Sequence, residues 1–369
     1  MTAINTFKKA TAKAFNTSIL EKKRMAWVDY LRGIAIILVV YRHVLLGLQR
    51  ANMDIPVSLV YANMIFYSFR MPLFFILSGI FINGSLSRRP VGKLVYTKFE
   101  NLLYPYFIWS FIQITLQIIL NKYSNSDRSL IDYTYILYQP RGLDQFWYLP
   151  ALFNCSVIYL FLKVKVRLPI WAQLLAGVTF YIAAPYCSAI SMFSDWMEFY
   201  IFFALGDAVS KIFFEEKSQR LFNSTWTGLI MIPIFAATQL YYLYKAGPTG
   251  ASIGQLPFLA VALIGCFSMF VLAFRFQKWD ILRWLRVLGF HSLYIYVMHV
   301  MIAAFTRSVL SRVFGIHSTP ILLLVGIAVG VTVPVIIYNT LIKDNIFWFL
   351  FSLQKPQKKN KKVPETIAA

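Results

Sequence analysis

Ten mostly apolar stretches divide the chain, at roughly 25–46, 57–83, 102–120, 146–162, 169–185, 197–214, 226–244, 255–275, 287–306 and 319–342. A membrane-spanning helix needs about 20 such residues. The polar segments between them are short, and none has the composition of an interdomain linker. This pattern predicts an all-α, polytopic transmembrane bundle of about ten spans. The fourth and fifth stretches are the shortest. Residues 345–353 are rich in aromatics and read as a tail lying at the membrane interface.

Composition agrees with the pattern. Hydrophobic residues make up 59% of the 369 and charged residues only 14%, against about 25% charged in a soluble domain. A soluble chain of this kind would expose apolar patches large enough to associate. The net charge of +21 would point to nucleic acid in a soluble protein. Here the placement of the basic residues gives a different reason, and no nucleic-acid partner is expected. Twenty-five Lys and Arg fall before the first stretch, in alternate loops and in the C-terminal segment, including Arg24, Arg88, Arg89, Lys98, Lys163, Arg220, Arg286 and Lys355. The other loops hold seven: Arg50, Lys122, Arg128, Arg141, Lys245, Arg307 and Arg312. By the positive-inside rule both termini are cytoplasmic, which requires an even number of spans.

Three regions follow: a basic arm over 1–24, a membrane domain over 25–353 and a basic tail over 354–369. The arm interleaves Phe7, Phe15, Ile19 and Leu20 with lysines, so it reads as an amphipathic helix on an anionic membrane face or as a disordered arm. It lacks the apolar run and cleavage site of a signal peptide. Cys155, Cys187 and Cys266 have no metal-ligand spacing and read as small buried hydrophobes.

Ionisable groups inside spans are costly and mark functional sites. The first span carries Asp29, Arg32, Arg42 and His43. Arg32 and His43, eleven residues apart, share one helix face and are separated by about 16 Å along the axis. Asp29 stands one turn before Arg32 and can orient its guanidinium; for both, snorkelling at the interface is the competing role. For His43 it is helix-interface packing. The second span carries Arg70, too deep to snorkel and in need of a partner or an anionic ligand, beside Pro72, which weakens the helix ladder. Ser78 and Gly79 permit close helix approach. In the ninth span His291 lies at the inner end and His299 near mid-membrane, with Tyr296 one turn earlier and able to hydrogen-bond it. Asp144, Trp147 and Tyr148 enter the fourth span from an outer loop, where Trp147 can also serve as an aromatic anchor.

Together these segments resemble the integral-membrane acyltransferase-three superfamily, and within it the fucose 4-O-acetylase-like branch that modifies bacterial surface sugars. The resemblance is carried by Asp29-Tyr30-Leu31-Arg32-Gly33 with His43, Phe69-Arg70-Met71-Pro72-Leu73-Phe74-Phe75 with Ser78-Gly79, Leu103-Tyr104-Pro105-Tyr106, Phe146-Trp147-Tyr148-Leu149, and Ser292-Leu293-Tyr294-Ile295-Tyr296 with His299. They occur in the family's order over nearly the whole chain. The resemblance implies ten spans in a bacterial inner membrane, acyl-CoA (acetyl-CoA or another) as a cytoplasmic donor, and a glycan or lipid-linked sugar as acceptor. It implies no permanently bound cofactor and no metal. It marks the match to His43 as catalytic and the match to Arg32 as essential. The family's pair of basic residues opening the third span is half present: Lys98 fits, and Asn101 occupies the second position. The branch often has His where Arg70 stands.

Acyl transfer to a hydroxyl needs a base, an oxyanion stabiliser and a bound thioester. His43 suits the base. Arg70 suits the acceptor or the oxyanion, and Arg32 the donor side. Lys98, Arg88 and Arg89 can meet donor phosphates as point charges. His299 with Tyr296 is a second acid/base candidate. Asp29, Ser78 and Trp147 complete the candidate binding set. Direct transfer and an acyl-histidine intermediate both remain open. The competing class is a transporter or flippase for a glycan or anionic substrate, since charged residues and broken helices also serve transport.

Overall fold

The computed structural model describes residues 13–21, 25–121, 128–247, 250–343 and 345–354. Among the described residues ten long helices follow one another: α1 (Ala26–Arg50), α2 (Val57–Ile80), α3 (Val91–Ile119), α4 (Tyr148–Lys165), α5 (Ile170–Cys187), α6 (Ser191–Ala208), α7 (Thr225–Ala246), α8 (Gln255–Trp279), α9 (Ser292–Arg312) and α10 (Thr319–Ile342). There is no strand among the described residues. All but α6 are long and apolar enough to cross a membrane; α6 carries Asp195, Glu198 and Asp207.

Hydrogen bonding at the ends of the bundle indicates that α6 crosses as well. The Asn339 side-chain amide at the end of α10 donates to the Ala14 carbonyl at 2.9 Å. The segment before α1 and the end of α10 therefore share one face, and only an even number of crossings between them permits that. With α6 the number is ten. Its acidic side chains are tolerated because each described one has a basic partner: Asp195 and Glu198 pair with Arg141, and Asp207 with Lys163.

Some boundaries differ from the hydropathy pattern. The third helix starts at Val91 rather than 102, because a π turn over Phe99–Leu103 carries the basic segment Val91–Lys98 into the span ahead of Pro105. The sixth starts at Ser191 rather than 197, its polar first turns being satisfied by the neighbouring loop. The ninth is preceded by a separate short helix, Trp284–Phe290, with His291 at the break. In α2 the ladder is interrupted at Phe66 and again at Met71, before Pro72. Of the proposed N-terminal arm, residues 1–12 and 22–24 lie outside the described residues; Ile19 is buried, and Phe15 and Leu20 pack on the core. Of the proposed tail only Gln354 is described. The aromatic stretch docks on the bundle: Trp109 donates to the Leu350 carbonyl at 3.2 Å, and the Phe351 ring lies 4.8 Å from Tyr294.

Two close crossings fix the bundle. Where α1 meets the short helix, a Cβ added at Gly33 would lie 2.1 Å from the Leu285 carbonyl oxygen, and one at Gly289 would lie 1.8 Å from that of Asp29. Where α2 meets α6, a Cβ at Gly79 would lie 2.0 Å from the Phe203 oxygen, and one at Gly206 would lie 2.1 Å from that of Ile76. Without hydrophobic drive between helices in lipid, such backbone-to-backbone packing is what holds spans together. Helices α8, α9 and α10 gather around α1, and α4 and α5 pack on α6. The seam between the two groups is filled by Phe74, Phe75, Tyr148 and Tyr296. Helix α7 is peripheral and turns Trp226, Leu229, Ile230 and Ile232 outward, as a lipid-facing helix would.

Gly206→Val is expected to lower the thermal stability of detergent-purified protein sharply, since overpacking alone costs about 1–3 kcal/mol and here the obstacle is main chain. Gly84→Ala, where an added Cβ meets nothing within 4 Å, should leave it unchanged. Equal melting temperatures for the two variants would refute the packing role of the crossing.

Candidate active site

A cavity of about 230 Å³ lies between the outer half of α1, the broken part of α2, the α3–α4 loop and α6. His43, Arg70, Trp147 and Tyr296, four of the residues singled out by sequence, line it. So do Arg42, Arg50, Tyr67, Arg141, Asp144 and Glu198. Its end nearest Arg50 and Asp144 lies at the face opposite the N-terminal segment, since Arg50 ends α1.

His299 stands behind His43, with ring centroids 5.1 Å apart in an edge-to-face arrangement. It is fully buried. Its Nδ1 lies 3.0 Å from the Ile295 carbonyl and 2.8 Å from that of Tyr296. Nδ1 must therefore carry the proton, which leaves Nε2 as a bare acceptor, and Nε2 has no hydrogen-bond partner among the described residues. Tyr296 thus holds His299 through its main chain. The bond its hydroxyl could make to His299 does not form: neither the Tyr296 hydroxyl nor His299 Nε2 has a hydrogen-bond partner among the described residues.

Arg70 is 3% exposed. The break at Met71–Pro72 places it where one guanidinium nitrogen donates to the Leu38 carbonyl and to Asn63 Oδ1, both at 3.2 Å. Tyr67, one turn earlier, carries Arg70 over its ring at 5.5 Å and Arg42 at 5.1 Å.

The α3–α4 loop closes one wall. Ser129 and Asp132 form a capping box, and Arg128 bridges Asp132 to the Gly142 carbonyl. Burial works against the Asp132 carboxylate, but the Ser129 main-chain N–H and Arg128 outweigh it and hold its pKa below the ordinary value. Gln139 accepts from the Ser191 amide, and Tyr106 donates to the Ile136 carbonyl. The loop then turns inward at Asp144, whose φ of +57° is unusual for a side-chain-bearing residue. That turn is held by Arg50 at 2.6 Å and Arg128 at 3.5 Å from the Asp144 carboxylate, and by the buried pair Gln113–Gln145 at 2.8 Å. The Arg141 guanidinium lies 4.7 Å over the Trp147 ring, which packs at a tilt against Phe199.

The remaining sequence candidates lie elsewhere. Arg32 is three turns from His43 along α1, about 16 Å away, within electrostatic reach of the Tyr148 hydroxyl. Asp29, one turn further, is buried at the Gly289 crossing. Ser78 donates to the Phe74 carbonyl of its own helix. Lys98 faces the Phe203 ring at 5.9 Å and lies near Cys155. Two zones result: the cavity around His43, and a deeper group with Arg32 and Lys98 toward the basic face. Among the described residues no three His, Cys, Asp or Glu side chains are grouped to hold a metal.

A family profile described as an acyltransferase domain matches residues 25–339. No curated protein and no solved structure matches the chain.

Asp144→Ala should raise hydrogen exchange across residues 140–147 severalfold, because it removes the carboxylate facing two guanidiniums while leaving the unusual φ in place; a hydrogen bond to a charged group contributes about 1.5–3 kcal/mol, less where one partner is exposed. Exchange unchanged from the parent protein would show that the loop is held by other contacts.

Proposed function

Because the chain belongs to the acyltransferase-three family of multi-pass membrane acyltransferases, we propose that it moves an acyl group, most simply acetyl, from acyl-CoA to a hydroxyl of a cell-surface or lipid-linked glycan. The membrane would be a bacterial inner membrane, with the donor entering from the cytoplasmic face. The fucose 4-O-acetylase-like branch is the part of the family we favour, on the motifs around Arg32, His43, Arg70 and His299. A family of acyltransferases favours an enzyme over a transporter.

One observation carries the reading: His43 reaches a cavity bordered by the outer loop while Arg32 lies on the same helix near the basic face. A donor held at the Arg32 and Lys98 end, with its thioester extended along the seam past Tyr148 and Tyr296, would meet an acceptor hydroxyl at His43. The step would run as follows. An imidazole nitrogen of His43 takes the hydroxyl proton, and the hydroxyl oxygen attacks the thioester carbonyl carbon. The carbon–sulfur bond breaks, the oxygen ester forms, and the CoA thiolate leaves and recovers the proton. Arg70 would place positive charge beside the reacting groups, to hold the acceptor or to stabilise the oxyanion. The guanidinium of Arg32, with its fork of donors, suits donor phosphate or pantetheine amide groups better than a lysine would. His299, fixed in one tautomer, holds the inner side of the His43 ring. Asp29, Ser78, Trp147 and Tyr296 would shape the path rather than react.

His43→Gln is expected to reach the membrane in normal amount and to transfer acyl groups on the order of 10²–10⁴-fold more slowly, because glutamine can hydrogen-bond but cannot accept the proton. Radiolabelled acyl transfer by purified protein measures this. Transfer within a fewfold of the parent rate at equal abundance would remove His43 as the base and move the assignment to His299.

A further inference from the structure

The charges lining the cavity do not cancel. Arg50 faces Asp144. Arg141 faces Asp195 and Glu198. Two guanidiniums are left without a carboxylate of their own, while the Arg141 group holds one carboxylate more than it has cations, so the set as a whole keeps one positive charge in excess. Arg42 is half-buried and lies against the Tyr67 ring. Arg70, nearly fully buried, has neutral partners among the described residues: the Leu38 carbonyl, Asn63 Oδ1 and the same ring. Among the described residues neither is paired with a carboxylate, and the two repel each other. A tyrosine ring shared by two cations offsets little of what it takes to keep guanidiniums out of water. Buried positive charge of this kind, in a cavity open to one side, calls for an anion.

From this we infer that the acceptor is an anionic glycan, in which a carboxylate or phosphate group is held between Arg42 and Arg70 and a neighbouring hydroxyl is presented to His43. The inference rests on the acyl-transfer function proposed above and names its substrate class. Geometry supports it in three ways. Arg42 and His43 are adjacent in sequence and both line the cavity, so an anion on Arg42 brings its own sugar ring to His43. The cavity lies below the roughly 300–1,000 Å³ of drug-sized sites, which suits one sugar residue rather than an oligosaccharide. Finally, the aromatic side chains of Trp147 and Tyr67 both line the cavity, apolar surface of the kind that meets the C–H groups of a sugar ring.

The same charges could meet the phosphates of acyl-CoA, and the test separates the two sources. Full-length protein in lipid nanodiscs is titrated with glucuronate, glucose 1-phosphate, glucose, the methyl ester of glucuronate, and acetyl-CoA. The two anionic sugars should bind at least about tenfold more tightly than glucose or the ester. Arg42→Gln should abolish that difference, weakening the anionic sugars by about 10- to 100-fold while glucose and acetyl-CoA bind as before. Arg42→Lys should retain part of it, because charge remains and the fork is lost. Unchanged glucose and acetyl-CoA affinity certifies that the variants are folded. Equal affinity for glucuronate and its methyl ester would overturn the inference. So would loss of acetyl-CoA binding in Arg42→Gln with sugar selectivity intact, which would assign the anion to the donor. Acyl transfer to sugars without regard to their charge would defeat this inference and leave the proposed function standing. Selective binding of anionic sugars by a protein that transfers no acyl group would defeat the function and leave the anion site standing.

Discussion

Direct contact between helix backbones, at two points, governs where everything else in this protein lies. In lipid the burial of apolar side chains does not distinguish helix from helix, so van der Waals fit has to do it. At Gly33 and Gly289 the missing side chains let α1 press against the helix that leads into α9. That contact sets the distance and rotation of α1 relative to α9, and the edge-to-face placement of His43 on His299 follows from it. At Gly79 and Gly206 the same device sets α2 against α6, which brings the Arg70 region of α2 opposite Glu198 and Phe199. The cavity is the space left where these two fixed pairs meet.

Charge has to be arranged around that space, and the arrangement differs from one end to the other. On the basic face, Asp207 gathers Lys163, Asn83 and Tyr159 into a closed set of hydrogen bonds beside the Gly206 crossing. At the opposite face the α3–α4 loop folds in, and its described carboxylates, Asp132 and Asp144, each face an arginine. Between them the seam is aromatic, with Phe74, Phe75, Tyr148 and Tyr296 in contact. Under the proposed function, such a seam would keep water away from the acyl group in transit. Catalysis by displacement of one acyl carrier for another benefits from such a dry route.

Much of this was legible in the sequence, and the limits have physical reasons. Hydropathy located the nine helices that are long and apolar enough to cross, because the bilayer imposes length and apolarity directly; it misplaced the start of α3 and marked α6 only in part, where a π turn and buried ion pairs let polar residues enter the helix. Charge alternation gave an even number of crossings, and the Asn339–Ala14 contact agrees with it. Spacing put Arg32 and His43 on one face of α1. Intramembrane cost marked Arg70 and His299. It also marked Arg42, yet gave no partner for it, because Tyr67 is an ordinary interfacial aromatic until α2 breaks and turns it between two arginines. Arg141 and Arg50 counted as loop charges; nothing local shows that the described part of the α3–α4 loop, 128–147, will fold into the bundle. The Tyr296 hydroxyl was expected to bond His299, whereas the helix uses its own carbonyls for that purpose.

The most direct test of the central claim uses the glycans themselves. Surface and lipid-linked glycans from cells with and without this protein are compared by mass spectrometry, before and after mild alkaline removal of O-esters. If the protein is a glycan O-acyltransferase, its presence adds the mass of one acyl group to a sugar residue, the addition disappears on alkaline treatment, and cells carrying only the His43→Gln form resemble cells with none. Glycan masses that are the same with and without the protein, in cells where it is abundant and folded, would contradict it.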